Sequence, residues 1–290
     1  MKIALIYNKT NSTVLGPGDY FERIFKAHKI DYSHYPLSAN TNIPTTYDLY
    51  FRVDHGDYKD VLPRTLKPSV FYAIDTHLKK PFKKIRQQAQ DFNIIFCAQK
   101  TALDELKKIK GVDAQWAPLG CDPDIHQIIN TPKKYDLAFI GRDAQKFDRG
   151  RHLKLLKANF PNIYIGDSPS SGISQIYASA KIGFNSSISN DINMRIFEVM
   201  ASGCFLLTNR IKNNGFDILF KDGRDLVTYT TDKDLLEKIS YYLSHDDERE
   251  RIARTGAELI RTRLTYFHTL QRIFNYIAFK FGGKYNSLRI

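Results

Sequence analysis

Short apolar runs alternate with helical patterns along almost the whole chain, and this alternation narrows the fold more than any other feature. Lys2 to Tyr7, Asp48 to Val53, Ser69 to Ile74, Asn93 to Ala98 and Ala114 to Ala117 are such runs in the first half. The pattern restarts at Tyr135 with D-L-A-F-I-G-R and continues through Asn162 to Gly166, Lys181 to Asn185, Cys204 to Thr208 and Leu226 to Tyr229. Runs this short, apolar throughout and separated by amphipathic stretches, predict strands buried on both faces of a parallel sheet covered by helices. The break W-A-P-L-G-C-D-P-D-I-H, Trp116 to His126, carries the prolines and glycine expected of a crossover between two domains. A chain of 290 residues gives each half its own core. With 42% hydrophobic and 13% aromatic residues the chain is globular, not disordered.

The most informative stretch is S-N-D-I-N-M-R-I-F-E-V-M-A-S-G-C-F-L-L-T-N, Ser189 to Asn209. Asn190 or Asp191 is expected to cap a helix that Gly203 ends. On that helix Asp191, Arg195, Glu198 and Ser202 would form one polar stripe among apolar neighbours. An internal salt bridge would account for the stripe. So would an anion site, in which the free N–H groups of the first turn and Arg195 hold a diphosphate while Glu198 accepts from ribose hydroxyls. After the run that starts at Tyr135, Gly141 permits close backbone approach to a phosphate and Arg142 adds charge; Arg149 and Arg151 either reach the same place or lie exposed. In the first half, Gly16, Gly18 and Asp19 open a helix at the carboxyl end of the first strand, where open α/β sheets place their sites. Asp54 to Asp57, D-H-G-D, reads as a polar turn with a helix cap or as a group that holds a metal or acts as base, and Asp75 and His77 follow the third apolar run.

These motifs resemble the GT-B glycosyltransferases, in detail the CgeB-like (spore-maturation-type) group. The likeness rests on V-F-Y-A-I-D-T-H-L around Asp75 and His77, on the crossover segment, and on the Ser189 to Asn209 block, where Glu198 matches the second glutamate of a Glu-x7-Glu motif. The first glutamate falls at Asn190, which cannot carry its charge, and Asp191 is the neighbouring substitute. The resemblance implies two Rossmann-like domains with parallel sheets facing across a cleft: residues 1–125 on the acceptor side, 126–263 binding the donor, and a helix over 264–290 crossing back to the first domain. It implies transfer of a sugar, with retention, from a UDP- or GDP-sugar to a hydroxyl acceptor without metal or other cofactor. His77, Asp75 and Arg195 would be catalytic. Glu198, Arg195, Asp191, Asn193, Gly141 and Arg142 would bind the donor nucleotide, and Gly16, Gly18 and Asp19 would line the acceptor side. An inverting reaction would instead need a base among Asp19, Asp54, Asp75 and His77. The Asp122-Pro-Asp124 triplet falls at the hinge and is not read as a metal motif.

The formal net charge of +12 favours anionic partners. The expected partners are the nucleotide-sugar donor and a saccharide, lipid-linked or protein acceptor, with no specific nucleic acid. The basic run Leu78 to Arg86 reads as a solvated helix start or as a contact with an anionic membrane surface. No apolar run reaches the length of a bilayer span and the first residues are strand-like, so a cytoplasmic protein, peripheral at most, is expected. Cys97, Cys121 and Cys204 lack metal-ligand spacing and are expected to be reduced and structural. The alternative is a non-catalytic or degenerate GT-B-like protein that binds nucleotide or polyanion.

Overall fold

A computed structural model describes residues 1–9, 13–54 and 60–288. The chain divides into two compact units, Met1–Leu119 with Tyr266–Ile290, and Gly120–Thr265. The first unit contains β1 (Ile3–Ile6), α1 (Pro17–Ala27), β2 (Tyr32–Tyr35), β3 (Leu49–Val53), β4 (Ser69–Ala73), α2 (Lys79–Gln88), β5 (Ile94–Cys97), α3 (Leu103–Lys107) and β6 (Ala114–Trp116). Its six strands are parallel in the order β2-β1-β3-β4-β5-β6. The second unit contains β7 (Tyr135–Ile140), α4 (Asp148–Asn159), β8 (Ile163–Gly166), α5 (Ile173–Ala178), β9 (Ala180–Asn185), α6 (Met194–Ala201), β10 (Phe205–Asn209), α7 (Phe216–Leu219), β11 (Val227–Tyr229), α8 (Asp232–Ser244) and α9 (Asp246–Arg263). Its five strands are also parallel, ordered β11-β10-β9-β7-β8.

The apolar runs become strands because both faces of each sheet are covered. Ile3 to Ile6, Leu49 to Val53 and Ile94 to Cys97 are buried at every position, and each fully buried Ile, Leu or Phe side chain contributes about 1.5–3 kcal/mol. In each sheet the order reverses once, between β1 and β3 and between β7 and β9. Ligands of open α/β sheets bind beyond the carboxyl ends of strands at such a reversal. One strand goes unanticipated in the sequence: β2, Y-S-H-Y, is an edge strand that is only half-buried along its length and mixes polar with aromatic residues.

The final helix, α10 (Tyr266–Phe281), belongs to the first unit. Tyr266 stacks on Tyr20 of α1 at 4.6 Å and Phe274 meets Phe25 at 5.7 Å. The Tyr276 hydroxyl donates to Asp113, and Lys280 pairs with the same carboxylate at 2.8 Å. Among the described residues no helix is long and apolar enough to cross a membrane. Cys97, Cys121 and Cys204 are buried free thiols, as expected, and burial pushes them up to about 12, 12 and 11 respectively.

At the start of α1, Gly16 is the N-cap and its N–H donates to Asp19 Oδ2 at 2.9 Å, with Pro17 at the first helical position. Gly18 must lack a side chain, because a Cβ there would lie 2.3 Å from the Tyr7 ring. This close approach aims the Tyr7 hydroxyl at Glu22, to which it donates at 2.7 Å. Tyr32 donates to the same carboxylate at 2.9 Å, and Lys9 and Lys26 pair with it at 2.7 and 3.2 Å. Burial opposes the charge on Glu22, but these donors overcome it and hold the carboxyl down at about 2. A depressed carboxylate stabilises the fold above its unfolded pKa and loses that contribution as pH falls through the folded one. Glu22→Gln is therefore expected to destabilise the protein by roughly 3 kcal/mol at pH 7. Denaturant unfolding of both proteins between pH 7 and pH 2 checks this: the two curves should converge at the acid end.

Candidate active site

Beyond β9 the chain turns through residues 186–193 before α6 begins. Ser189 and Asn190 adopt left-handed backbone, with φ of 50° and 64°. The helix starts later than the sequence suggested. Its N-cap is Asn193, not Asn190 or Asp191. Asp191 instead forms a local turn, where Oδ1 accepts the Ile188 N–H at 3.0 Å and its carbonyl accepts the Ser187 hydroxyl at 2.7 Å. A short carboxylate competes well for nearby backbone donors, and here that local bonding wins over helix extension. The polar stripe is thus shorter than expected and consists of Arg195, Glu198 and Ser202. Gly203, at φ 74°, follows the helix as anticipated. The Ser202 hydroxyl donates to the Glu198 carbonyl at 2.8 Å.

Asn190 is turned to the loop after β10. Its Oδ1 accepts the Lys212 N–H at 2.8 Å, its Nδ2 donates to the Lys212 carbonyl, and its own carbonyl accepts from Asn214 Nδ2 at 3.0 Å. Only an amide both gives and receives in this way, and Asn tolerates the left-handed backbone better than most residues. Asn190→Glu is therefore expected to lower stability by about 1–2 kcal/mol, measurable as a fall in melting temperature. An unchanged melting temperature would contradict this account of the loop.

Arg195 lies across the reversal point of the second sheet. Its Nε donates to the Ile140 carbonyl at 2.8 Å and its Nη1 to Asn185 Oδ1 at 2.9 Å, and the guanidinium covers the Phe139 ring at 4.2 Å. Asn185 is fixed in turn by donating to Thr208 Oγ1 at 2.9 Å and by accepting from Asn193 Nδ2 at 3.2 Å. Gly141 has φ 123°, and a Cβ there would lie 2.5 Å from Arg195 Nη2. Its missing side chain makes room for the guanidinium.

Arg149 is the second cation of this cluster and is buried. Its Nε donates to the Ser186 carbonyl at 2.7 Å, and its guanidinium lies 5.9 Å from the centre of the same Phe139 ring. Burial and the nearby charge of Arg195 bring its pKa down to about 10. Among the described residues neither Arg149 nor Arg195 forms an ion pair; Asp191 is the acidic group whose charge favours Arg149. Two guanidinium groups on one ring, without a paired carboxylate, present a ready site for an anion with two charges. Arg142 is exposed and meets Arg149 only through its carbonyl, at 3.4 Å, while Arg151 turns away to Asp232.

Glu198 is half-buried one turn along α6 from Arg195. Its carboxylate makes no hydrogen bond or ion pair among the described residues. Burial pushes its pKa up to about 7, against the opposing pull of Arg195.

In the first unit, Asp54 is buried and its Oδ2 accepts the N–H groups of Ile74 and Asp75, both at 3.3 Å. Asp54 therefore shapes the turn after β4 that carries Asp75 and half-buried His77. His55, Gly56 and Asp57 lie outside the described residues, as do residues 10–12 of the loop after β1. Among the described residues no group of three His, Cys, Asp or Glu is placed to hold a metal ion. Sequence reasoning missed Phe139, Asn185 and Tyr177, whose hydroxyl accepts the Ile140 N–H at 3.3 Å. The one signal for Phe139 and Asn185 was their place at or near strand ends, and Tyr177, on α5, gave none.

Two Rossmann-like parallel-sheet units, the second with a cationic cluster at its strand reversal, constitute the GT-B fold. Residues 132–275, which include the whole Gly141 to Glu198 cluster, match the family described as "Glycosyl transferase-like". The chain is similar in fold to HepE of Anabaena in complex with UDP-glucose, with TM-score 0.67 and 12% identity, covering 96% of this chain and 99% of that one. It is similar also to sucrose-phosphate synthase of Thermosynechococcus elongatus, with TM-score 0.71 and 10% identity over 97% and 100% of the two chains. An α-glucosyltransferase in complex with UDP-glucose and DNA containing an abasic site gives TM-score 0.66 and 9% identity over 96% and 98%. At such identities the likeness is one of fold. No curated protein matches the chain.

Proposed function

We propose that the protein transfers a sugar from a nucleoside-diphosphate sugar to a hydroxyl acceptor, as a GT-B glycosyltransferase of the CgeB-like type. The observation that carries this reading is the pair Arg195 and Arg149, held on Phe139 at the strand reversal with no carboxylate partner. Such a pair stabilises the charge that develops on a departing diphosphate, and the first N–H groups of α6 add to it. Glu198 would accept from the ribose hydroxyls. On the first unit, His77 would position the transferred sugar and Asp75 the acceptor, with retention at the anomeric carbon and no metal. The neighbours solved with UDP-glucose favour a UDP-sugar as donor.

A thermal-shift comparison of UDP, GDP, ADP, TDP and CMP tests the donor site, since a ligand of the native state raises its stability by mass action. A selective rise, lost in Arg149→Met and Glu198→Ala, is the expected result. No rise with any nucleotide would overturn the reading. The engagement of Asn190 with Lys212 favours a second reading, a nucleotide-binding protein that does not transfer. UDP binding without turnover of any UDP-sugar would select it.

A further inference from the structure

A cavity of about 660 Å³ opens in the second unit where β9, β10 and β11 end, next to the starts of α4 and α8. Arg195 and Glu198 do not line it. Ser186 is the shared wall: its carbonyl accepts from Arg149 on the nucleotide side, while its hydroxyl meets His152 Nδ1 at 3.0 Å on the cavity side. His152 Nε2 lies 3.1 Å from Arg151 Nη2. Nε2 also lies 3.4 Å from Asp232 Oδ1, so Arg151 and Asp232 both engage this nitrogen while Nδ1 faces the Ser186 hydroxyl. The inner wall is therefore a set of satisfied polar groups, with Tyr229, only 2% exposed, beside them.

The rim is charged unevenly. Arg151, Arg210, Lys212 and Lys233 line it with two carboxylates, Asp148 and Asp232. Arg151 contacts both acids, and Arg210 pairs with Asp217 at 2.6 Å. Lys212 has no ion pair among the described residues, and Lys233 has only a 3.7 Å surface contact with Glu237. The remaining lining consists of hydroxyls and an amide, from Ser187, Asn209, Thr230 and Thr231.

We propose that this cavity is a second ligand site, distinct from that for the nucleotide, which takes an anionic saccharide: a sugar bearing a phosphate or a carboxylate. Its volume lies within the range of about 300–1,000 Å³ usual for small-ligand pockets. Paired carboxylates, an amide and a guanidinium offer the planar donors and acceptors that vicinal sugar hydroxyls require. Lys212 and Lys233 supply the positive charge that selects an anionic sugar over a neutral one. The lining offers no exposed aromatic face on which a nucleobase would stack.

Calorimetric titration of the full chain with glucose 6-phosphate, glucuronate, glucose and inorganic phosphate tests the site. The Lys212→Glu/Lys233→Glu variant runs alongside, and UDP serves as the control in both proteins. Glucose 6-phosphate or glucuronate should bind, the tighter of the two naming the anionic group, and the double variant should bind it at least about tenfold more weakly with its UDP response unchanged. Binding of either sugar in a protein that ignores UDP would uphold this site while removing the donor reading. The proposal is overturned if neither anionic sugar binds, if glucose binds as tightly as they do, if inorganic phosphate binds as tightly as glucose 6-phosphate, or if the charge reversal leaves affinity intact.

Discussion

Replacing Arg195 by lysine is expected to lower the proposed sugar transfer by about 10²- to 10³-fold, although the positive charge is retained. The guanidinium reaches the Ile140 carbonyl through Nε and Asn185 through Nη1 at once, while its plane covers Phe139. A lysine ammonium is a point charge on a flexible stem and cannot hold both bonds with that ring contact. The acceptors it leaves behind would also lower stability by about 1–3 kcal/mol. Single-turnover measurement of donor consumption, with thermal unfolding in parallel, separates the two effects. Turnover within about threefold of the parent protein would show that charge alone suffices and that the fork geometry is incidental.

Glu198→Gln should move stability and binding in opposite directions. Burial raises the Glu198 pKa from 4.5 to about 7. A carboxyl raised in this way contributes its stability fully below its unfolded pKa, and that contribution is lost as pH rises through the folded value near 7. At pH 8 the parent protein thus carries a charge that burial disfavours, and glutamine removes it. The variant is expected to be more stable at pH 8 by roughly 2 kcal/mol, allowing for the solvent contact of a half-buried group, and indistinguishable at pH 4. Nucleotide binding should respond in the other sense. In the parent protein affinity should rise as pH passes 7, because a carboxylate accepts a ribose hydroxyl more strongly than a neutral group does. In the variant it should be weak and flat with pH. Paired unfolding and binding curves from pH 5 to 8.5 provide the check, and a variant less stable at pH 8 would refute the burial argument.

The strands were readable because a parallel sheet imposes one rule on every strand it buries, and the same rule is what led the candidate site to be sought at their carboxyl ends. Runs such as Tyr135 to Ile140 announce both a strand and, at its end, the edge where ligands gather. Arg195 and Glu198 were legible from their spacing on a helix. The start of that helix was not, because Asp191 had two competing local uses and the sequence does not show which one the Ile188 N–H will settle. Arg149 and Arg142 illustrate the other limit. Both follow Gly141 by a few residues, yet only Arg149 falls on the face of α4 turned to Phe139, a choice made by the course of the 141–147 loop. Asn185 gave no signal beyond its place at the end of a strand. It acts by bonding to Arg195, Asn193 and Thr208, three partners from two other elements and the loop between, and no local pattern encodes such a meeting.

The first unit is made of two stretches far apart in sequence, residues 1–119 and 266–290, whereas the second is continuous from Gly120 to Thr265. During synthesis the second unit has all its residues in hand before α10 emerges, while the first waits with Tyr20, Phe25 and Asp113 lacking the partners that Tyr266, Phe274 and Tyr276 will supply. Folding order on the ribosome is thereby inverted: the second unit can close first, and the first is sealed only once α10 has been made. Until α10 has emerged, Tyr20 and Phe25 of α1 lack the rings that cover them in the folded unit, so the interval before that helix leaves the exit tunnel is the one in which α1 has an aromatic face to hide.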